Sequence, residues 1–185
     1  MNMKKRMLSI VLSGAMAVST AVSAGSFSAF AVAQCVAYSG SNVNDQDYVQ
    51  WSDTVKSYLT VCDNGNYMRV QSGAIKGKLL VEYYSSDFEP LSTKLIDNEL
   101  PIFGAFYDSG NNYYVLSGQE NPKQNDSLEV FRITKYDKNW NKIKSCGLYG
   151  ANTTVPFDAG SARMTHSGDH LLVRTCHKMY KSSDG

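Results

Sequence analysis

The chain has 185 residues, of which 18 are Lys or Arg, 17 are Asp or Glu and 43% are hydrophobic. A chain this close to neutral has no basic surface that would attract nucleic acid or an anionic membrane, so neither partner is expected. A chain of this length suits one globular domain once the leader, described next, is removed.

The first 33 residues have the pattern of a secretory signal peptide. Residues 4–6 are basic, residues 8–24 carry no charge, and Ala31 to Ala33 has the A-x-A form that signal peptidase accepts. Cleavage is expected between Ala33 and Gln34. An uncleaved membrane anchor is the alternative, but the many Gly, Ser and Ala residues favour cleavage.

The mature chain is therefore expected to be secreted or held at the cell surface. Removal of the leader leaves 15 basic and 17 acidic residues, a net charge of −2. No later stretch is apolar enough to predict a membrane span. Residues 34–57 form an N-terminal segment without a clear pattern, and the patterns described below occupy residues 58–185.

Three polar turns of similar sequence predict β-hairpins. They centre on Gly65, Gly110 and Gly168, with Asn or Ser before the glycine, Asn or Asp after it, and a run that ends in Val. Glycine supplies the positive φ of a tight hairpin, and Asn and Asp tolerate left-handed geometry. Each turn is therefore expected to lead into a strand.

A second pattern recurs between these turns. Residues 81–91 align with residues 133–143 at an offset of 52. The aligned pairs are Tyr84 with Tyr136, Phe88 with Trp140, and Leu91 with Ile143. Each segment predicts a strand, a polar hairpin that carries an aromatic residue, and a further strand. The two patterns agree on a period of about 50 residues.

Apolar and polar residues alternate along four segments, which predicts strands with one buried face. The segments are 79–84, 113–117, 128–136 and 170–176. No segment after Gln34 combines a helical period with capping residues. Pro90, Pro101, Pro122 and Pro156 are expected in connections, where the missing amide donor costs nothing. The mature chain is predicted to be all-β.

A four-stranded unit that recurs about every 40 to 50 residues has the size of a propeller blade of the WD-repeat or kelch class. Residues 58–185 resemble secreted bacterial β-propeller repeats, although the WD dipeptide and the paired glycines of kelch blades are absent. Residues 179–185 resemble the opening of the Asp-box turn of sialidase-type propellers.

The resemblance implies a propeller-like array of antiparallel four-stranded units. About three such units fit the mature chain, whereas closed propellers use about four to eight. An array that is incomplete at its C-terminus, the N-terminal part of a longer protein, is therefore expected. A complete β-sandwich is the alternative.

Four cysteines, Cys35, Cys62, Cys146 and Cys176, lie in the exported part. An even number outside the cytoplasm allows two disulfides in any of three pairings. Cys35 with Cys62 and Cys146 with Cys176 are the pairs nearest in sequence. Free thiols are the alternative.

No sequence motif assigns a catalytic or metal-binding role, so no cofactor is expected. His166 and His170 flank a predicted turn and do not share a helix face, which argues against a zinc site. The G-x-S-x-G motif of serine hydrolases is absent. Glycosidases need two opposed carboxylates, and sequence alone cannot pair the candidates, of which Glu82 and Glu129 are expected on the solvent side of strands. The candidates are Glu82, Asp87, Glu99, Glu120, Glu129 and Asp158.

These observations favour an exported, non-catalytic binding or cell-surface protein. Its propeller-like face would bind a glycan or an extracellular protein through aromatic residues at the hairpins. The candidate binding residues are Tyr84, Phe88, Tyr136 and Trp140. One alternative is the N-terminal part of an extracellular glycoside hydrolase or lyase, and another is an inactive fragment.

Overall fold

A computed structural model describes residues 54–160 and 162–182 of the chain. These residues form twelve strands and no helix, which confirms the predicted all-β class. The strands are β1 (Ser57–Val61), β2 (Tyr67–Ile75), β3 (Lys78–Tyr84), β4 (Pro90–Asp97), β5 (Ile102–Asp108), β6 (Tyr113–Gly118), β7 (Glu129–Tyr136), β8 (Lys142–Tyr149), β9 (Thr153–Pro156), β10 (Arg163–Ser167), β11 (His170–Arg174) and β12 (His177–Met179).

Two four-stranded antiparallel sheets make up most of the fold. Strands β1 to β4 form the first sheet and β5 to β8 the second, and in both sheets each strand pairs with its neighbours in sequence. In such a meander the turns alternate between the two ends of the sheet. The hairpins β1–β2, β3–β4, β5–β6 and β7–β8 therefore lie at one end, which we call the hairpin edge.

The remaining four strands form the C-terminal ribbon, defined as residues 153–179. Strand β10 pairs with β11, and β9 pairs with β12. Both pairings are antiparallel, and both join the same two stretches of chain, one with β9 and β10 and the other with β11 and β12. Residues 157–162 connect β9 to β10. The turn of β10 and β11 contains Gly168.

The two sheets pack face to face around a first hydrophobic core. The first sheet contributes mainly aliphatic residues and the second mainly aromatic ones, and period-two alternation places these residues on the facing sides. The buried members are Met68, Val70, Leu79, Val81 and Ile96 from the first sheet and Phe103, Phe106, Tyr113, Val115, Tyr136 and Trp140 from the second sheet and its last hairpin.

The opposite face of the second sheet packs against the ribbon in a second core. Ala105, Leu116 and Phe131 meet Phe157 and Ala162 there. The described residues therefore form three layers, in the order first sheet, second sheet and ribbon. They contain antiparallel four-stranded sheets, as predicted, and neither a closed barrel nor a closed propeller.

The predicted strands and connections agree with the structure in most places. The four alternating segments correspond to β3, β6, β7 and β11. Two prolines differ, because Pro90 begins β4 and Pro156 ends β9 instead of lying in connections. Both are terminal residues of edge strands, where a missing donor is tolerated.

Several predictions lie outside the described residues. They are the signal peptide at residues 1–33, the cleavage site between Ala33 and Gln34, most of the segment 34–57, and Cys35. Residues 183–185 of the Asp-box-like tail are outside as well. The described ranges contain no helix that is long and apolar enough to cross a lipid bilayer.

Candidate binding cleft

The three predicted glycine turns have the expected backbone geometry. Gly65, Gly110 and Gly168 have φ angles of 80°, 86° and 53°, and a Cβ added at each would meet no atom within 4 Å. The glycines are therefore needed for conformation and not for space. Side-chain oxygens reinforce two of the turns, since Asp108 accepts a hydrogen bond from the Gly110 amide at 2.8 Å and Asn64 accepts one from the Asn66 amide at 3.1 Å.

Phe88 and Trp140 occupy the same position in two hairpins of the same geometry, residues 85–89 and 137–141. In both, the first amide donates to the fifth carbonyl at 2.8 and 3.0 Å, and the fourth amide donates to the first carbonyl at 3.0 Å. A side-chain oxygen of the first residue accepts from the third and fifth amides. Both aromatic residues have a φ of 63°. The alignment at an offset of 52 residues thus matches two copies of one backbone turn.

The two aromatic side chains have different surroundings. Phe88 is 60% exposed and stacks on Tyr67 with ring centroids 4.5 Å apart. Trp140 is 4% exposed, lies 4.7 Å from the ring of Tyr113, and donates from Nε1 to the hydroxyl of Tyr83 at 3.0 Å. The first sheet covers Trp140, whereas the corresponding place over Phe88 is open.

This difference divides the four expected binding residues into two buried and two accessible ones. Tyr136 is 4% exposed, and burial raises its pKa to about 12. Tyr136 and Trp140 belong to the first core. Phe88 and the half-buried Tyr84 remain accessible, on the side of the first sheet that faces away from the second. The four residues therefore do not form one binding surface.

At the hairpin edge, the structure brings other residues together in a cleft of about 330 Å³ between the two sheets. We call it the first cleft. The β1–β2 turn forms one wall, and the start of β6 with the β7–β8 hairpin forms the other. The lining residues are Cys62, Asp63, Asn64, Asn66, Tyr83, Tyr113 and Lys138.

Lys138, which lines the first cleft, forms an ion pair with Asp108. Lys138 Nζ lies 2.8 and 3.0 Å from the two carboxylate oxygens of Asp108, and 4.4 Å from the centroid of the Tyr113 ring. Burial raises the pKa of the hydroxyls of Tyr83 and Tyr113. Both phenols are therefore neutral at physiological pH and keep their hydroxyl protons.

Cys62 is not activated as a nucleophile in this cleft. Burial raises the pKa of its thiol, and this effect outweighs the charge of Lys138, which lowers it. A thiol must lose its proton to attack or to bind a metal. The arrangement therefore suits hydrogen bonding and ring stacking better than covalent chemistry.

A second cleft, of about 290 Å³, lies between the second sheet and the ribbon. It is again at the hairpin edge, between the β5–β6 and β10–β11 turns. The lining residues are Ser109, Asn111, Asn112, Tyr114, Lys135, His166, Gly168, Asp169, His170 and Leu171. His166 Nδ1 is 2.5 Å from the Tyr107 hydroxyl. Within residues 54–160 and 162–182, no group of three potential ligands could hold a metal ion.

The structure brings two candidate carboxylates, Glu99 and Glu129, to one guanidinium. Arg132 contacts Glu99 at 3.0 Å and Glu129 at 2.8 Å, and Lys142 lies 2.7 Å from Glu99. Partial burial raises the pKa of Glu99, but these two cations outweigh burial and lower it overall. A glycosidase general acid needs the opposite shift, so this cluster has the character of a structural ion-pair network.

The other carboxylates differ in burial. Glu82 was predicted to face solvent, but it is buried. A carboxylate oxygen of Glu82 lies 3.9 Å from a guanidinium nitrogen of Arg69. Asp87 and Asp158 are exposed, and Glu120 lies in the connection between β6 and β7.

The described cysteines are free thiols. Cys62 and Cys176 are half-buried and Cys146 is exposed on β8. The bond between Cys146 and Cys176, one of the pairings considered, is therefore not formed in this structure.

Sequence reasoning missed the lining residues of the first cleft. Asn64 and Asn66 were recognisable only as turn residues, and Tyr83 and Tyr113 only as strand residues. Their convergence with Lys138 depends on how the first sheet lies on the second. The available signal was the repeated Asn and Asp residues beside each turn glycine, which would have pointed to a polar edge.

Comparison of the chain with protein-family models, with characterised proteins and with solved structures finds no match to any of them.

Proposed function

We propose that this chain is an exported, non-catalytic binding protein whose strands form a propeller-like array and whose hairpin-edge clefts bind a glycan. The first cleft carries this proposal. Asn64 and Asn66 offer amide groups, Tyr83 and Tyr113 offer neutral hydroxyls, and Lys138 is neutralised by Asp108.

This chemistry matches a neutral ligand that is rich in hydroxyl groups. An amide side chain donates and accepts hydrogen bonds, as each sugar hydroxyl does. The stem of Lys138, whose ammonium lies over the Tyr113 ring, supplies apolar surface beside these polar groups. Small-ligand sites gain both affinity and orientation from this combination. The ion pair with Asp108 cancels the charge of Lys138, and the carboxylate of Asp63 adds a further acceptor for sugar hydroxyl groups.

The second cleft supports the same function. It also lies between a turn containing asparagines and the next layer, and it also has a tyrosine and a lysine in its wall, Tyr114 and Lys135. Two binding positions along one edge would let an extended chain of sugars engage both. Simultaneous engagement raises the overall affinity above that of either cleft alone.

The test is a glycan array followed by calorimetry on the best binder, with Asn66→Ala and Asn139→Ala as a matched pair. Asn66 lines the first cleft, whereas Asn139 is an exposed residue of the β7–β8 hairpin outside both clefts. Loss of one or two side-chain hydrogen bonds should weaken binding about tenfold for Asn66→Ala and leave Asn139→Ala unchanged.

Two results would reject this function. One is the absence of any glycan bound at millimolar affinity or better by the unmodified chain. The other is glycan binding that Asn66→Ala leaves intact, because the ligand site would then lie elsewhere. If the chain binds no glycan but binds a protein specifically at the hairpin edge, its ligand is a protein and not a glycan.

A further inference from the structure

The turn between β1 and β2 contains the one Asn-Gly pair of the chain, Asn64-Gly65, and every other asparagine is followed by a residue with a side chain. Because glycine has no Cβ, its backbone amide nitrogen is sterically open. In an Asn-Gly pair this nitrogen can attack the carboxamide of the preceding asparagine. Asn64 lines the first cleft, so a reaction there would change the cleft wall.

Both residues of the pair are accessible. Asn64 and Gly65 are exposed, and a Cβ added at Gly65 would meet no atom within 4 Å. Base that removes the proton of the Gly65 amide can therefore reach the turn. Water, which a later step of the reaction consumes, can reach it as well.

A hydrogen bond within the turn activates the carboxamide. The amide of Asn66 donates to Oδ1 of Asn64 at 3.1 Å, and an Asx-turn of this kind folds the side chain back along the Gly65 peptide unit. Attack at Cγ places negative charge on Oδ1. A backbone amide that already points at this oxygen stabilises the charge, as the donors of an oxyanion hole do.

One hydrogen bond opposes the reaction. The amide of Gly65 donates to the carbonyl of Cys62 at 2.9 Å, and it must leave this bond before its nitrogen can attack. The pair lies at the tip of the hairpin, where local opening costs less free energy than in a strand. The bond from the Cys62 amide to the Asn66 carbonyl, at 2.7 Å, holds the two strands together behind the tip.

We propose that Asn64 is a site of spontaneous deamidation that alters the first cleft as the protein ages. The nitrogen of Gly65 forms a bond to Cγ of Asn64, and the bond from Cγ to Nδ2 breaks. Nδ2 leaves as ammonia with the proton of the Gly65 amide. Water then opens the cyclic imide at either of its two carbonyls, so that position 64 becomes aspartate or isoaspartate.

Either product changes the chemistry of the cleft wall. A carboxylate replaces the amide, so a hydrogen-bond donor is lost and a negative charge appears next to Asp63. Isoaspartate also adds a methylene group to the main chain, which lengthens the turn. The consequence for glycan binding rests on the proposed function, whereas the deamidation itself does not.

Peptide mapping by mass spectrometry, during incubation of the folded chain at mildly alkaline pH, tests the reaction. Asn111 and Asn112 are internal controls, because they follow the turn glycine Gly110 instead of preceding it. We expect Asn64 to convert several-fold faster than either control, to a mixture of aspartate and isoaspartate. Equal rates at the three positions would overturn the proposal. Aspartate without isoaspartate would also overturn it, since direct hydrolysis gives that product alone.

A matched pair of substitutions tests the consequence for the cleft. Asn64→Gln keeps an amide but needs a larger ring for the attack, so position 64 should stay unmodified, whereas Asn111→Gln should leave the rate at Asn64 unchanged. Conversion at Asn64 that slows equally in Asn111→Gln would contradict a reaction set by the Asn64-Gly65 pair.

Calorimetry with the glycan that the fresh, unmodified chain binds best completes the test. Incubation should weaken binding by the unmodified chain about tenfold, the effect of one lost hydrogen bond, and should leave Asn64→Gln unchanged. Loss of affinity in both chains, or in neither, would overturn the link between Asn64 and the cleft. If Asn64 is converted as expected but no glycan binds even the fresh chain, the proposed function fails and the deamidation stands.

Discussion

Phe88 and Trp140 illustrate how the neighbours of a side chain decide its role. Both sit in a left-handed conformation at the fourth position of the same hairpin turn. Trp140 is covered by the first sheet and contacts Phe106, Tyr113 and Tyr136, whereas Phe88 stacks on Tyr67 and stays 60% exposed. The two residues therefore share one backbone conformation, but we expect them to contribute differently to the free energy of unfolding.

The first prediction at this scale concerns these two residues. Trp140→Ala should lower the free energy of unfolding by about 3–5 kcal/mol, because it leaves a cavity in the first core and removes the hydrogen bond to Tyr83. Phe88→Ala, the matched control, should cost less than about 1 kcal/mol. Urea denaturation followed by circular dichroism measures both. Equal losses would contradict the burial difference.

At the scale of elements, the connection between β4 and β5 ties the two sheets together through Glu99. This residue follows β4 directly, and its carboxylate contacts Arg132 on β7 and Lys142 on β8 at 3.0 and 2.7 Å. The carboxylate of Glu129 holds the other side of the Arg132 guanidinium. Two bound cations keep the pKa of Glu99 below its ordinary value of 4.5 although burial acts in the opposite direction.

This shift predicts a pH dependence of stability. A carboxyl whose pKa is lower in the folded chain than in the unfolded chain stabilises the fold above its unfolded pKa, and that contribution is lost as the pH falls through its folded pKa. Glu99→Gln should therefore be less stable at pH 7 by about 1.5–3 kcal/mol. It should also lose less stability than the unmodified chain when the pH falls below 4.5.

The control for this prediction is Glu89→Gln, since Glu89 is an exposed hairpin residue. Urea midpoints measured across the acid range compare the three proteins. Parallel pH profiles for Glu99→Gln and the unmodified chain would show that the Glu99 contacts contribute nothing to folding.

At the scale of the whole molecule, one ring joins the ribbon to the second sheet. The ring of Phe157 lies against Gly104 on β5 and Gly118 on β6, where an added Cβ would be 2.2 and 2.9 Å from ring atoms. It also meets the ring of Phe131 edge to face, with centroids 5.5 Å apart. The ring fits against these two residues because neither has a Cβ atom.

The fit predicts a specific coupling between Gly104 and Phe157. Gly104→Ala should destabilise the chain by about 1–3 kcal/mol, because the new methyl group overlaps the ring. Phe157→Leu should also destabilise the chain when made alone. The double variant should lose less stability than the sum of the two single losses, because the smaller side chain makes room for the methyl group. Strictly additive losses in chemical denaturation would argue against the contact.

Much of the fold was predictable because it depends on local geometry. The hairpins around Gly65 and Gly110 require a positive φ, which glycine supplies, and the alternation of residues 79–84 and 128–136 states which side of each strand is apolar. The order of strands in both sheets then follows from short connections between neighbours. These features need no knowledge of distant residues.

The candidate site was less predictable, because it depends on which faces meet. Alternation marked Tyr136 as a strand residue and the turn marked Trp140 as a hairpin residue, but neither pattern says that another sheet will lie over them. The first cleft likewise arises only where the turn at Asn64 approaches Lys138 on the next sheet. Contacts between residues so far apart in sequence are set by the stacking of layers.

By itself, the sequence determined the all-β class, the hairpin turns and the strands, since each follows from the conformational preferences of a few adjacent residues. Only the tertiary structure decided that Trp140 is core and Phe88 is surface, and that polar residues from two sheets line one cleft. The physical reason is that burial is a property of packed faces, and two identical turns acquire different environments when only one of them has a sheet packed against it.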